Sequence, residues 1–386
     1  MIGLETLFWI LCGLVVYVYA GYPLLVVALA RTRRVAPPEE PSPLPTVTLI
    51  FCVHNEQAIL DAKIDNCRAI DYPKDRLTIL AASDGSTDGS AERLNELEGQ
   101  GVLRALVQPT RSGKTTLLNR AVEMVSTDLV LFTDASTLLR PASLRRHVRH
   151  FSDPGVGCVG GDLDFINVGR GGVSAGHGLY WRYEAAIRRA ESDLGMLAYV
   201  SGANYSMRRT LWKPVPGEFA DDCISPLNVV AAGHRVVYDP EAVAEEVASE
   251  SQRGLFARRV RMVTRDLDAT LRHGHLLNPF RYGGVTLSLL SHKLLRWLVS
   301  PALVLILALN TALAGLAGRP LYGALLAAQM SFYTLAFVAS LGSGRPKSPL
   351  LSVPLYFCVS NLGALRGLVN VVLRRRIGVW QPVGTR

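Results

Sequence analysis

Both ends of the chain are long and apolar, which restricts the protein to architectures associated with a membrane. Leu7 to Ala30 carries no charged residue and exceeds the roughly 20 residues that a helix needs to cross a membrane. Glu5 precedes this segment, and Arg31 and Arg33 follow it. This order of charges favours a retained anchor over a cleaved signal peptide.

The C-terminal part is apolar again. Three spans are predicted, at Leu298 to Leu316, Leu321 to Leu341 and Leu350 to Leu373. Before them, Tyr282 to Trp297 places His292, Lys293 and Arg296 on a leucine-rich background, which is typical of an amphipathic interfacial helix.

Arginine clusters border the apolar segments. They are Arg31, Arg33 and Arg34 after the first segment, and Arg374, Arg375 and Arg376 after the last. Basic residues beside a span mark the cytoplasmic side, so we expect a multi-pass protein of the cell (plasma or inner) membrane with a cytoplasmic central domain. Four full crossings would leave the last cluster outside, so the final segment is expected to be re-entrant or partly interfacial.

Composition also suggests the domain boundaries. We predict an anchor at 1–34, a proline-rich linker at 35–45, a cytosolic domain at 46–281, an interfacial helix with transmembrane helices at 282–373, and a basic tail at 374–386. None of the six cysteines forms a C-x-x-C pair, which argues against a disulfide framework or a zinc site. Much of the net charge of +9 lies beside the spans, so the expected partners include membrane lipids and not nucleic acid.

Short apolar strands alternate with helices in the central domain. The strands are predicted at Val47 to Val53, Leu77 to Ala82, Val102 to Val107 and Leu129 to Thr133. This alternation predicts an α/β fold with a mostly parallel sheet that helices cover on both faces. In such sheets the ligand lies outside the carboxyl ends of the strands.

Polar residues follow three of these strands. They are His54-Asn55-Glu56, the segment Ser83 to Ser90, and Asp134-Ala135-Ser136. Each motif alone is explained as a turn or helix cap. Three on one edge predict a nucleotide site, because carboxylates there can bind ribose or base groups and hold a hard cation against a pyrophosphate.

These motifs, with Gly113-Lys114, Gly202-Ala203-Asn204 and Asp221-Asp222 further along the chain, resemble the family 2 glycosyltransferases. The similarity is to the membrane-bound branch that includes cellulose, chitin and hyaluronan synthases. The resemblance implies a GT-A fold and a nucleotide-sugar donor, UDP-linked by preference, with a saccharide or lipid-linked acceptor. It implies that His54, Glu56, Asp84, Lys114 and Asp134 bind the donor and that Asp222 is the general base.

Two motifs depart from the family pattern. The second acid of the D-x-D motif is Ser136, so a divalent cation (Mg²⁺ or Mn²⁺) would be held by Asp134 and Ser136 with help from the diphosphate and waters. The Q-x-x-R-W motif reads Arg258 to Met262 and keeps only Arg261. The missing tryptophan removes a stacking platform for a sugar, so transfer of one or a few sugars stays open beside long-chain polymerisation.

The acceptor and diphosphate are expected near Gly202, Ala203, Asn204, Arg258 and Arg261. For Arg258, a role in a basic surface that contacts anionic lipid is as well supported as a role in binding the diphosphate. The aromatic segment Tyr180 to Tyr183 is interpreted either as an acceptor path or as packing.

Adjacent acids raise one another's pKa, which suits a base at Asp222. Asp221 is the preferred cap of a helix at Cys223 to Ala231.

A second class of function is suggested by Ser112 to Thr116, which resembles the end of a phosphate-binding loop and would indicate an ATPase or transport motor. Gln108 stands where the first glycine of that loop belongs, and this reading leaves Asp84 and Asp222 unexplained. A catalytically silent scaffold is a third alternative, against which the presence of Asp134 and Asp222 argues.

Overall fold

An eight-stranded mixed sheet forms the centre of the computed structural model, which describes residues 2–33, 36, 38–166, 173–247, 252–316, 319–341 and 348–375. The strand order is β3-β2-β1-β4-β7-β6-β8-β5. The strands are β1 (Val47–Val53), β2 (Leu77–Asp84), β3 (Arg104–Gln108), β4 (Leu129–Asp134), β5 (Leu138–Leu139), β6 (Val156–Phe165), β7 (Asn204–Arg208) and β8 (Arg235–Glu246).

The longer helices of the described part of the chain alternate with these strands in the first half of the domain and then extend into the apolar C-terminal part. They are α1 (Ile2–Ala30), α2 (Gln57–Arg68), α3 (Ser90–Gly99), α4 (Lys114–Glu123), α5 (Ser143–Arg149), α6 (Val173–Asp193), α7 (Asp221–Ala231), α8 (Gln252–Arg272), α9 (Gly284–Leu316), α10 (Pro320–Leu341) and α11 (Pro349–Val372).

The predicted α/β architecture is confirmed, and β1 to β4 pair in parallel as expected. Every residue of β1 is buried, because hydrophobic cores lie on both faces of the sheet. Most strand pairings in the described sheet are parallel as predicted, including the pairing of β6 with β8, while β7 runs antiparallel to both β4 and β6. The carboxyl ends of β1 and β4 therefore lie side by side, next to the beginning of β7.

Within the described ranges, four helices, α1, α9, α10 and α11, are long and apolar enough to cross a membrane. The segment expected to form a separate interfacial helix is instead continuous with α9, and His292 within it is buried inside the protein. The last apolar segment is one continuous helix of 24 residues despite Pro354, so it does not double back, and its position relative to the membrane surface stays a prediction. Arg34 and residues 376–386 of the predicted basic tail lie outside the described residues.

Helix α8 packs closely against α11, and two glycines allow the contact. A Cβ atom at Gly363 would lie 2.9 Å from the Cβ of Arg259, and one at Gly367 would lie 2.8 Å from the Cβ of Val263. Small residues one helical turn apart let two helix backbones approach closely. This contact fixes α8 relative to a membrane helix, and α8 carries the arginines of the candidate site.

Candidate functional site

A cleft of about 1410 Å³ opens at the carboxyl ends of the strands. The strand-end loops form one wall, α8 forms another, and α1, α9 and α11 line its far end. Nine of the residues predicted from the sequence line it: Glu56, Lys114, Asp134, Ser136, Gly202, Ala203, Asp222, Arg258 and Arg261. His54, Asp84 and Asn204 are not among the lining residues.

Lys114 begins α4 and makes an ion pair with Asp134 at the end of β4. Burial alone would lower the pKa of the Lys114 amine, but Asp134 and Asp221 raise it above its ordinary value, so the amine stays charged. Burial, followed by the charge of Asp134, raises the pKa of Glu56 to about 7. The Glu56 atom Oε2 is buried without a hydrogen-bond partner among the described residues, so it is available to a donor group on a ligand.

The Asp84 carboxylate organises the loop before Lys114 and does not face the cleft. It accepts hydrogen bonds from the backbone N–H groups of Ser112 at 2.7 Å and Gly113 at 2.8 Å. His54 lies behind it, with Nδ1 2.7 Å from the carbonyl oxygen of Asp84. Direct nucleotide contacts of His54 and Asp84 stay predictions, whereas their effect on the position of Lys114 is visible in these bonds.

The side chain of Asn204 is fully buried away from the cleft. Its Nδ2 donates to the carbonyl oxygens of Ala242 at 2.7 Å and Asp162 at 3.2 Å, and its Oδ1 lies 2.9 Å from Nε2 of His147. Both polar atoms of the side chain that could meet a sugar hydroxyl act instead between β7, β6, β8 and α5, so this side chain is structural. Of the three-residue motif, Gly202 and Ala203 line the cleft.

The two adjacent aspartates have different environments. Helix α7 begins at Asp221, so the prediction that this residue caps the helix is wrong, and Asp221 instead accepts a hydrogen bond from Tyr205 Oη at 2.7 Å. Asp222 Oδ2 accepts from the N–H of Gly202 at 2.9 Å and lines the cleft. Burial, then the charges of Asp221 and Asp266, raises the pKa of Asp222 to about 7.

Three cleft-lining arginines form what we call the arginine face of α8. They are Arg258, Arg261 and Arg265, at helical positions i, i+3 and i+7, which lie on one side of a helix. Burial lowers the pKa of Arg261, and the neighbouring Arg265 and Arg258 lower it further. No ion pair to a carboxylate is formed by these three residues within the described part of the chain. An anion is therefore the expected ligand of this surface.

Arg265 and Glu246 are among the charged residues of the cleft that were not predicted as site residues from the sequence. Arg265 lies four residues after Arg261, a spacing that could have identified it. Glu246 ends β8 and lines the cleft, and burial raises its pKa to about 7. Nothing in the local sequence marks Glu246, because only the order of strands in the sheet brings it near enough to Asp134 for the two charges to interact.

The residues present fit a divalent cation only if a ligand completes the coordination. Among the described residues no group of three or more His, Cys, Asp and Glu side chains is arranged to hold a metal ion. Asp134 and Ser136 offer hard oxygen donors at the cleft. Mg²⁺ is commonly bound by one or two carboxylates together with substrate phosphates, so this donor set suits a cation that arrives with a diphosphate.

Comparisons with known proteins agree with this geometry. The family model described as glycosyltransferase-like family 2 matches residues 45–267. The chain is 25% identical over 235 residues to the poly-β-1,6-N-acetyl-D-glucosamine synthase of Staphylococcus aureus strain COL. The matched segment covers 58% of this chain and 56% of that protein. The synthase of Staphylococcus epidermidis is 22% identical over 234 residues. The chain thus spans about half the length of the curated relatives it matches.

Among solved structures, a mannosyltransferase from Pyrobaculum calidifontis in complex with GDP-mannose and Mn²⁺ superposes with a TM-score of 0.74. The identity is 23%, and the match covers 96% of this chain and all of that one. It supports the predicted GT-A fold. The ATPase alternative finds no support, since the family match includes the Lys114 segment.

Proposed function

Because the chain belongs to glycosyltransferase-like family 2, we propose that it is a membrane glycosyltransferase that moves a sugar from a nucleotide-diphosphate sugar to a hydroxyl group. The favoured donor is a UDP-sugar, and the acceptor is a saccharide or a lipid-linked acceptor. The observation that carries the proposal is the half-buried Asp222 carboxylate in the cleft, together with the arginine face of α8, which makes no ion pair to a carboxylate within the described part of the chain.

Asp222 is the proposed general base. A carboxyl group whose pKa is raised to about 7 is ionised in a useful fraction at neutral pH and still accepts a proton readily. The N–H of Gly202, 2.9 Å from Oδ2, holds the carboxylate in one orientation. The base would take the proton of the acceptor hydroxyl as its oxygen attacks the anomeric carbon of the donor sugar.

The leaving nucleotide diphosphate is proposed to lie between the Lys114 end of α4 and the arginine face. Positive groups already in position stabilise the charge that develops on the diphosphate as the glycosidic bond breaks. Asp134 and Ser136 would hold a divalent cation, Mg²⁺ or Mn²⁺, which when bound neutralises diphosphate charge. Asp84 and the loop at Ser112 and Gly113 would act indirectly, by positioning Lys114.

We also propose that the domain lies on the cytoplasmic side of the cell membrane. Arg31 and Arg33 follow α1 and are exposed, as expected for a segment that stays cytoplasmic. Nucleotide sugars would then reach the cleft from the cytosol.

The test is a donor screen on the purified full chain with Mg²⁺ or Mn²⁺, using UDP-sugars and GDP-mannose, with products identified by mass. Asp222→Asn is expected to lower kcat by about 10²- to 10⁴-fold, the usual contribution of a general base, while donor binding measured by thermal stabilisation is retained. Asp268→Asn is the matched control, because Asp268 lies on the surface of α8 with its side chain 45% exposed. Full activity of Asp222→Asn would remove the base assignment, and inertness toward every nucleotide sugar would remove the proposed function.

A further inference from the structure

The far end of the cleft lies between membrane helices and is lined by charged and aromatic side chains that the proposed transfer does not use. Tyr19 of α1, Trp297 of α9 and Asn361 of α11 contribute to its walls. Each of these helices is long and apolar enough to cross a membrane. A molecule held there would have lipid-facing helices around it and the carboxylates of the strand ends in front of it.

Two guanidinium groups at this end are oriented by Glu184 of α6. Arg296 Nη1 donates to Oε2 of Glu184 at 2.9 Å, and Arg188 Nε lies 3.5 Å from Oε1. Arg188 is only 9% exposed. Its Nη1 and the Nη2 of Arg296 are buried with no hydrogen-bond partner among the described residues. Leaving such charged donors unpaired is costly, so the arrangement calls for a ligand that supplies acceptor oxygens.

Aromatic rings hold these arginines in place before any ligand arrives. The Arg296 guanidinium lies 5.1 Å from the ring centroid of Tyr180 and 5.8 Å from that of Tyr19. The Arg188 guanidinium lies 4.8 Å from the ring centroid of Trp181. Cation–π contacts of this kind restrict the side chains without using their N–H groups. The donors therefore stay free for an anion, and two planar guanidinium groups match the oxygens of a phosphate.

We propose that this end of the cleft binds the phosphate group of an amphiphilic membrane lipid, with Arg188 and Arg296 donating to its oxygens. The lipid chains would leave the cleft beside α1, α9 and α11, which explains why the phosphate site is built at the membrane helices rather than at the open rim. The inference rests on the proposed function only in identifying this lipid as the anchor of a lipid-linked acceptor. Binding itself requires no sugar transfer.

The binding test uses the full chain purified in a neutral detergent and dioctanoyl phosphatidic acid as the probe. Dioctanoylglycerol has the same chains without the phosphate, and inorganic phosphate has the anion without the chains. We expect dose-dependent thermal stabilisation by the phosphatidic acid, and much weaker effects of the other two. Equal stabilisation by dioctanoylglycerol would overturn the phosphate site, and equal affinity for inorganic phosphate would overturn the lipid as its source.

Variants locate the binding. Arg188→Gln is expected to weaken the apparent affinity for dioctanoyl phosphatidic acid about tenfold, as for the loss of one charge-assisted hydrogen bond, and Arg188→Lys to recover part of it. Arg189→Gln is the control, because Arg189 is the exposed neighbour on the same helix. Unchanged binding by Arg188→Gln refutes the assignment. Absence of lipid binding with intact sugar transfer refutes this inference alone, whereas lipid binding without any sugar transfer refutes the proposed function alone.

Discussion

The cleft has carboxylates on its strand-end side and guanidinium groups on the arginine face of α8, so the two sides carry charges of opposite sign. On each side, groups of like charge lie close together and are at least partly buried. On the first side, burial and neighbouring carboxylates raise the pKa values of Glu56 and Asp222 to about 7. On the second, burial and neighbouring guanidinium groups lower the pKa of Arg261. Shifted pKa values of this kind cluster at functional sites.

The contrast indicates how a donor would be oriented. Its anionic diphosphate relieves the repulsion within the arginine face, and a hydroxyl group can donate to the carboxylates across the cleft. Each side is unfavourable alone and becomes favourable with a ligand that has a negative end and a hydroxyl end. A nucleotide sugar with its acceptor has both.

After loss of the proposed base itself, the largest effect is expected from breaking the arginine face. Arg261→Gln removes a charged donor to the diphosphate and is expected to lower kcat/KM by about 10- to 100-fold, the range for a lost charged hydrogen bond. Arg253→Gln serves as the matched control, since Arg253 is exposed on the same helix. If steady-state kinetics gave the two variants the same kcat/KM, the arginine face would not contribute specifically to binding the diphosphate.

A smaller effect is expected on stability from the opposite side of the cleft. The pKa of Asp222 rises from 3.8 to about 7 on folding, so its protonated form stabilises the fold, and that contribution is lost as pH rises between these values. Asp222→Asn should therefore melt several degrees higher than the wild-type chain at pH 8, by a rough estimate, with a smaller difference at pH 5. A difference that is the same at both pH values would show that ionisation of Asp222 does not oppose folding.

The smallest effect is a shift of a pH profile. Ionised Asp266 raises the pKa of Asp222, so Asp266→Asn should move the rising limb of kcat/KM to lower pH, by about one unit or less. Asp268→Asn again provides the control on the same helix. Movement of the limb to higher pH would contradict the like-charge interaction on which the comparison depends.

Local sequence patterns were sufficient to predict the strands in the first half of the central domain and the apolar helices long enough to span a membrane. The apolar segments at 47–53 and 129–133 are buried strands because nothing but a covered sheet accommodates them, and the long uncharged segments at both ends are helices long enough for a membrane. The interfacial helix was misjudged, because His292 is polar in sequence yet is buried against Glu184 and Glu191. No local signal reports a partner that is more than a hundred residues away.

The sequence by itself determined the family, the α/β class and several of the chemical groups at the strand ends of the cleft, since residue type and order at strand ends carry that information. Only the tertiary structure decided which groups meet. Asn204 and Asp84 turn to internal hydrogen bonds, whereas Glu246 and Arg265 enter the cleft. The physical reason is that burial and the neighbours across the sheet decide where each side chain finds its partners, and these depend on strand order and helix packing rather than on adjacent residues.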